Sequence, residues 1–307
     1  MHEFHAALDR ASRRVPPHAW FGVSAVFHYL GPSFAVLLFP SIGVLGVAWL
    51  RIASAALVFA PLTRPWKVAR RLNRRERLLL VAFGGCLAAM NCSFYLALSR
   101  LPISLVAAIE FVGTIGVALF GLRTRRNACA LALVIGGVSS LIDPKWSNDS
   151  TGLCWALANG ALFVVYILLG DRMAKTGAGE GIQRLGAAMA VAFLIVSPIG
   201  FGQALQAFAH PRFLLAGIGV GICSSVIPYV CDQLAMSRLP RSSFALLLAL
   251  LPAIATLVGA IVLSQVPSVR DLAGLVLVMA GVAVHTPARP PDGTASAAST
   301  AHADLPT

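Results

Sequence analysis

Apolar residues occur along this chain in long unbroken runs, separated by short segments that carry the charges, prolines and glycines. An α-helix needs about 20 apolar residues to cross roughly 30 Å of hydrocarbon, and only helices or closed barrels satisfy their backbone in lipid. The runs have helix length, so the pattern predicts an all-α membrane protein. Ten transmembrane helices are expected, at residues 20–39, 43–62, 78–98, 103–122, 128–142, 151–170, 185–205, 213–236, 244–264 and 271–285.

The composition excludes an ordinary soluble enzyme. The chain of 307 residues is 58% apolar and 12% charged, with a mean hydropathy of +0.80, whereas soluble domains are roughly 45–50% apolar and about 25% charged. The polar, basic segment 1–19 precedes a run that is longer than the apolar core of a signal peptide, so that run is expected to stay as a span. The tail, 286–307, is rich in Pro, Ala, Ser and Thr and is expected to be disordered.

The basic residues predict the orientation of the protein in the membrane. The net charge is +12, from 24 basic and 12 acidic residues. With the N-terminus inside, 19 basic residues fall in inner segments, Arg51 falls within a span, and only Arg100, Lys145, Arg212 and Arg270 lie outside. Lys and Arg collect in cytoplasmic loops, so both termini are expected in the cytoplasm.

The densest basic run, 64–77, includes Trp66 and could suggest a nucleic-acid site. Basic residues in a connector between two spans set the orientation of those spans in the membrane. If the connector also binds a partner, anionic lipid head groups are the better match for its charge. The charge therefore records topology, and no nucleic-acid partner is expected.

Two internal matches indicate a duplication. Residues 96–102, LALSRLP, recur as LAMSRLP at 234–240, with six of seven identical, and the pattern LxLVxxGV of 131–138 returns at 275–282. The predicted repeats are 20–142 and 151–285, each with five spans. Because five is odd, the second copy is inverted relative to the first. Inverted repeats are a recurrent plan of secondary transporters, although some duplicated membrane proteins are channels or have lost transport.

Several fragments, in order and spacing, resemble the drug/metabolite transporter (DMT) superfamily in its EamA-domain branch, and within it the threonine and homoserine exporter type. The resemblance implies ten helices in two inverted halves, and export of small metabolites through the inner membrane by proton antiport. The fragments are Leu38-Phe39-Pro40, Leu50-Arg51, Met90-Asn91-x-x-Phe94-Tyr95-Leu96, Ala108-x-Glu110-Phe111-x-Gly113, Ile227-Pro228-Tyr229 and Arg238-Leu239-Pro240. The chain departs from the family pattern at Leu251 and Gln265, where the second half of relatives commonly has glutamates.

Charges within spans are the first candidates for a functional site, because each costs roughly 2.5–3.5 kcal/mol at a helix centre. Arg51 and Glu110 are expected at nearly the same depth in the membrane. With a rise of about 1.5 Å per helical residue, both lie on the order of 12 Å below the outer face. We expect them to pair across a central cavity, where Arg51 would hold a substrate carboxylate and Glu110 an ammonium group or a proton. The alternative is a fixed structural ion pair. Asp232, near the inner end of its span, is either a second proton site or a gate at the inner mouth.

The other candidates are polar or titratable side chains within apolar runs. His28 titrates near neutral pH, although a lone histidine in an apolar helix can also serve packing alone. Asn91 and Tyr95 correspond, at an offset of 138, to Tyr229 and Gln233. These four line a cavity or simply join helices.

Sequence motifs of other function classes are missing. The chain has no HExxH, GxSxG or Walker A motif, so no enzyme chemistry, cofactor or metal is expected, and a membrane-embedded enzyme is a distant alternative. The nearer alternative function is that of a passive facilitator, or of an exporter of another metabolite or drug, with the same fold. The expected partners are a small molecule such as an amino acid, protons and the lipid bilayer, and assembly into a homodimer stays open.

Overall fold

The computed structural model describes residues 16–110, 124–141, 149–174, 178–236 and 251–284, and the regular structure in these ranges is helical, without strands. The helices are α1 (Pro17–Ile42), α2 (Val44–Thr63), α3 (Pro65–Arg71), α4 (Arg74–Leu98), α5 (described for 103–110), α6 (Arg125–Leu141), α7 (Ser150–Ala174), α8 (Ala178–Ala209), α9 (Pro211–Met236), α10 (Leu251–Leu263) and α11 (Val269–Val284). Within α9, a π-helical segment, Ile222–Val226, separates two α-helical parts.

Each predicted span overlaps a helix, which confirms the all-α expectation for the described ranges. The spans 103–122 and 244–264 are described only in part, as 103–110 and Leu251–Leu263. Five helical segments of the described chain are long and apolar enough to cross a membrane: His18–Ile42, Val44–Thr63, Arg74–Leu98, Gln183–Ala209 and Pro211–Cys231. The short α3 was not predicted, because its basic residues suggested only a connector. The segments 1–15 and 285–307 lie outside the described residues.

Gly43 forms the turn between α1 and α2, and a side chain of α8 hydrogen-bonds to the start of α2. Gly43 has φ +85°, a value that favours glycine because it has no Cβ. The first amides of α2 have no partner within their own helix, and Gln203 Oε1 accepts from the N–H groups of Leu45 and Gly46, each at 3.1 Å. The contact fixes α8 against the start of α2.

Glycine and aromatic contacts extend the α2–α8 interface along its length. A Cβ on Gly46 would lie 2.9 Å from the Ala204 nitrogen, and one on Gly200 2.5 Å from the Leu45 oxygen. Trp49 packs against Phe193, Phe201 and Phe208, and its indole Nε1 donates to Ser197 Oγ at 3.0 Å. These contacts hold α2, which carries Arg51, in a fixed position.

Small residues also bring α9 close to α1 and α2. Gly217 and Gly221 permit this approach, because a Cβ on Gly217 would lie 2.6 Å from Leu50 Cδ1 and one on Gly221 2.8 Å from the Arg51 oxygen. On the other side, Gly31 of α1 meets the backbone of Ser224. The helix α1 is continuous through Gly31 and Pro32.

Helices from the two halves of the chain are extensively interleaved. α6 packs on α11, α2 on α8, α4 on both α7 and α8, and α9 on both α1 and α2, while α10 packs on α1. The α6–α11 contact is made through glycine, since a Cβ on Gly137 would lie 2.6 Å from the Gly274 oxygen and one on Gly281 2.7 Å from the Ala130 oxygen. The buried centre of the bundle therefore receives helices from both halves.

Candidate functional site

Arg51 lies buried in the middle of the bundle, on the face of α2 that meets α9. Only 5% of the residue is exposed. Its Nε donates to Ser225 Oγ and its Nη2 to the Ser224 carbonyl oxygen, each at 3.1 Å. Hydrogen bonds from a charged donor stabilise by about 1.5–3 kcal/mol each, so these two offset much of the cost of burying the guanidinium.

The π-helical segment of α9 makes those acceptors available. Pro228 follows Ser224 by four residues and has no N–H to donate to its carbonyl, which leaves that oxygen free to accept from Arg51. The neighbouring hydroxyl of Ser225 faces the same guanidinium. Single-turn π segments within α-helices occur frequently at functional sites, and this one holds a buried cation.

Tyr95 covers the guanidinium from α4. Its ring centroid lies 5.3 Å from Arg51 Cζ, within the range of a cation–π contact, and 5.6 Å from the ring of Phe39. The residue is fully buried, and its hydroxyl oxygen has no hydrogen-bond partner in the part of the chain that the structure describes. Tyr95 therefore brings an apolar face to the charge and leaves a polar atom unused.

Glu110 lies at the end of the described part of α5, 9% exposed. Its Oε1 accepts a 2.7 Å hydrogen bond from Asn159 Nδ2 of α7, and Asn159 is fully buried. Gly160 lets the two helices approach, since a Cβ at that position would lie 3.4 Å from the Ile109 oxygen. A residue of the second half thus orients the acidic side chain of the first.

Arg51 and Glu110 belong to one electrostatic cluster. The charge of Arg51 acts on both Glu110 and His28, and that of Glu110 acts on Tyr29. The rings of His28 and Tyr29 meet edge to face, with their centroids 5.4 Å apart. Among the described residues, Arg51 bonds to α9, and Asn159 of α7 bonds to Glu110. The pairing of the two charges across a central cavity stays a prediction.

The remaining sequence candidates lie around this cluster in different ways. Asn91 is buried, but its Nδ2 donates to the Leu87 carbonyl of its own helix at 2.7 Å. Tyr229 is half-buried one residue after Pro228. Asp232 and Gln233 belong to the last part of α9, and their side chains lie outside the described residues.

Several buried polar atoms at the cluster have no hydrogen-bond partner among the described residues. They are Tyr95 Oη, Asn159 Oδ1 and Ser224 Oγ, and each belongs to a residue that contacts Arg51 or Glu110. A buried polar atom without a partner costs about 1–3 kcal/mol. The cluster therefore carries unused hydrogen-bonding capacity beside two opposite charges, which suits a small polar ligand that has both.

Ser224, Ser225, Asn159 and Tyr29 were not predicted from the sequence. Asn159 could have been found, because it is a polar residue inside an apolar run. The serine pair could have been found from its place just before Pro228, which frees a carbonyl oxygen. Tyr29 carries no such signal, because an isolated tyrosine in a span is common at packing positions.

Comparisons with known proteins identify the family. Residues 150–286 match the EamA-like transporter family. The threonine/homoserine exporters RhtA of Salmonella typhimurium (strain LT2) and Escherichia coli (strain K12) are each 35% identical over 239 residues, which cover 76% of this chain and 79% of each relative.

A crystal structure described only as that of a protein superimposes with a TM-score of 0.54 at 18% identity, over 87% of this chain and 96% of its own, which shows similarity of fold. Both the family and the curated relatives are transporters rather than enzymes. This chain is therefore a membrane transporter of the EamA-like family, in the drug/metabolite transporter superfamily, and within that family it is similar to the threonine/homoserine exporters.

Proposed function

We propose that the protein exports small amino acids such as threonine or homoserine from the cytoplasm by proton antiport, through the cluster around Arg51 and Glu110. The observation that carries the proposal is the burial of these two opposite charges inside the bundle, where each is hydrogen-bonded by a residue of the second half of the chain. The curated relatives are named as exporters of these two amino acids.

The cluster provides one partner for each polar group of such a substrate. Arg51 binds the carboxylate, since its guanidinium can donate in parallel to two oxygens, and Glu110 binds the ammonium group. The substrate hydroxyl finds its partner among Tyr95 Oη, Asn159 Oδ1 and Ser224 Oγ, which are buried and have no hydrogen-bond partner among the described residues. A ligand that lacked a hydroxyl would leave these atoms unpaired.

Coupling follows because Glu110 cannot hold a proton and an ammonium group at the same time. Open to the cytoplasm, the carboxylate exchanges its proton for the substrate; open to the outside, the substrate leaves and a proton returns. Each cycle moves one substrate outward and one proton inward. His28 of α1 and Asp232 in the last part of α9 are the further candidates for proton sites in this proposal.

The architecture of the proposal is ten transmembrane helices in two inverted repeats, 20–142 and 151–285. The contacts between helices support this symmetry. If each helix of the first repeat is exchanged with its counterpart in the second, the contacts α6–α11 and α2–α8 are unchanged. The same exchange turns the contact α4–α7 into α9–α1, and α4–α8 into α9–α2, and both of these are present. Such an arrangement permits two similar packings, open to opposite sides, around one site.

The proposed orientation places both termini in the cytoplasm and the transporter in the inner membrane. The excess of basic residues in alternate connectors supports it. In this orientation, residues 1–19 and 286–307 are cytoplasmic segments outside the two repeats.

Replacement of Glu110 by Gln tests the coupling role. In proteoliposomes with an imposed pH gradient, Glu110→Gln should lower gradient-driven threonine flux at least tenfold, because the amide can neither release a proton nor hold an ammonium ion as strongly. Glu76→Gln is the matched control, since Gln also completes a capping box and Glu76 lies at the start of α4. Full pH-driven flux in a well-folded Glu110→Gln protein would contradict the proposal.

A passive facilitator of the same fold is the second candidate. This chain has Leu251 and Gln265 at positions where the family resemblance leads us to expect glutamates. Gln265 is instead used in packing, because its Oε1 accepts from the Ile103 N–H at 3.3 Å. A panel of radiolabelled amino acids in inverted vesicles, with and without a pH gradient, distinguishes the two candidates and identifies the substrate.

A further inference from the structure

The basic connector, residues 64–77, is an ordered surface that projects from the ends of α2 and α4. We propose that it binds the anionic head groups of phospholipids at the membrane surface. This surface is separate from the buried cluster, so the inference does not depend on the proposed transport cycle.

The connector is held in one conformation by contacts at both ends. Val68 and Leu72 are buried in the core of the bundle, and α3 packs on α8. A capping box between Asn73 and Glu76 begins α4, and Arg77 Nε donates to the Leu72 carbonyl oxygen at 2.8 Å. The basic side chains therefore project from a fixed backbone, and lipid binding costs little backbone conformational entropy.

The charge of the connector is exposed and largely unbalanced. Its seven basic residues are all exposed: Arg64, Lys67, Arg70, Arg71, Arg74, Arg75 and Arg77. Its one acidic residue, Glu76, already accepts from the Asn73 N–H at 3.0 Å and lies 3.4 Å from Arg184. The carboxylate is thus engaged, and the surface is strongly cationic.

Exposed apolar side chains adjoin this charge. Trp66 is 53% exposed within the connector, while Leu62 and Leu78, on the two flanking helices, are 39% and 64% exposed. Tryptophan is enriched at membrane–water interfaces, with its ring at the level of the head groups. A lipid surface covers the apolar and the cationic parts together, whereas a nucleic acid would leave the leucines in water.

Three arginines stand where the helix itself disfavours them. Arg74, Arg75 and Arg77 lie in the first turn of α4, at the positive end of the helix dipole, where cations are destabilising. Topology requires basic residues in this loop but not at this end of the helix. An anionic head group beside the first turn relieves the repulsion, which gives these positions a physical reason.

Thermal unfolding in neutral detergent, with added short-chain lipid, tests the inference. A ligand that binds the folded state raises the unfolding midpoint with its concentration. We expect phosphatidylglycerol to raise the midpoint of the wild-type protein and 0.5 M salt to reduce the effect, because exposed charges are screened. Phosphatidylcholine, which carries no net charge, and glycerol 3-phosphate, which has no acyl chains, should have little effect.

Two double variants localise the binding. Each basic residue near a lipid surface contributes about fivefold in affinity, so Lys67→Gln with Arg70→Gln should weaken phosphatidylglycerol binding more than tenfold. Arg212→Gln with Arg270→Gln, which removes two exposed basic residues elsewhere, should leave it unchanged.

Three results would overturn the inference: equal stabilisation by both lipids, wild-type lipid affinity in the Lys67 and Arg70 variant, or stabilisation by a single-stranded oligonucleotide but not by phosphatidylglycerol. None of these measurements involves transport, so a failure here is distinguishable from failure of the proposed function.

Discussion

At the scale of single residues, the central feature is an arginine side chain buried inside an apolar bundle. Burying Arg51 costs roughly 2.5–3.5 kcal/mol on insertion scales, and the structure offsets that cost with two hydrogen bonds to α9 and the face of Tyr95. These partners use Nε and Nη2, which leaves further donors of the guanidinium for a carboxylate. The residue is therefore anchored, and in the proposed function its remaining donors bind the substrate carboxylate.

Loss of the anchoring hydroxyl should weaken substrate binding without unfolding the protein. Ser225→Ala removes the acceptor for Arg51 Nε, which is worth about 1.5–3 kcal/mol, so the KM for threonine export should rise by roughly tenfold or more while kcat changes less. Ser140→Ala is the matched control, because Ser140 Oγ bonds only within its own helix, to the Gly136 oxygen at 2.9 Å, as far as the structure describes it. An unchanged KM in Ser225→Ala would show that this hydrogen bond does not position Arg51 for substrate.

The charge of Arg51 should matter more than its anchoring. Arg51→Gln should abolish saturable amino-acid export, because no cation then remains for the carboxylate, whereas Arg51→Lys should keep part of it with a raised KM, since lysine has no planar fork. Export assays with both variants in proteoliposomes measure the difference. Equal and near-normal KM values in the two variants would contradict carboxylate binding at this residue.

At the scale of helices, close packing through glycine decides which elements meet. Gly137 and Gly281 let α6 and α11 approach until a single Cβ would collide with the facing backbone. In lipid, where apolar surfaces gain little from meeting each other, such close contact is a main source of helix association. The π segment of α9 belongs to the same scale, because it turns backbone and hydroxyl oxygens toward α2.

A matched glycine pair tests the packing of α6. A Cβ on Gly137 would lie 2.6 Å from the Gly274 oxygen, whereas nothing lies within 4 Å of one on the adjacent Gly136. Gly137→Ala should lower the free energy of unfolding by about 1–3 kcal/mol, as overpacking does, and Gly136→Ala should be neutral or slightly stabilising. Thermal unfolding in detergent measures both, and equal midpoints would show that α6 and α11 do not pack as described.

The helices could be predicted from sequence because lipid demands continuous apolar runs, and charged residues stand out against them. Arg51 and Glu110 were found for that reason. Ser225 and Asn159 can be noticed in the sequence as polar residues in apolar runs, but their contacts cannot be predicted, because they lie 174 and 49 residues along the chain from Arg51 and Glu110. The helix α3 was missed because its seven residues are too few and too basic to show a period.

At the scale of the whole molecule, residues of the two halves of the chain bond to each other around both buried charges. The first half supplies the charges of Arg51 and Glu110, and the second supplies Ser224, Ser225 and Asn159, which hold them. A rearrangement of one half against the other therefore changes the surroundings of both charges at once. This linkage is what an alternating-access antiporter requires, since substrate and proton must sense the same motion.

The most direct test of the central claim is uphill transport by the wild-type protein. Proteoliposomes with equal radiolabelled threonine on both sides are given a pH gradient, and the internal threonine is followed over time. Proton antiport predicts net movement of threonine toward the side of higher proton concentration, with collapse of that movement when a protonophore is added. Threonine that only equilibrates, at a rate independent of the pH gradient and the protonophore, would contradict the proposed coupling.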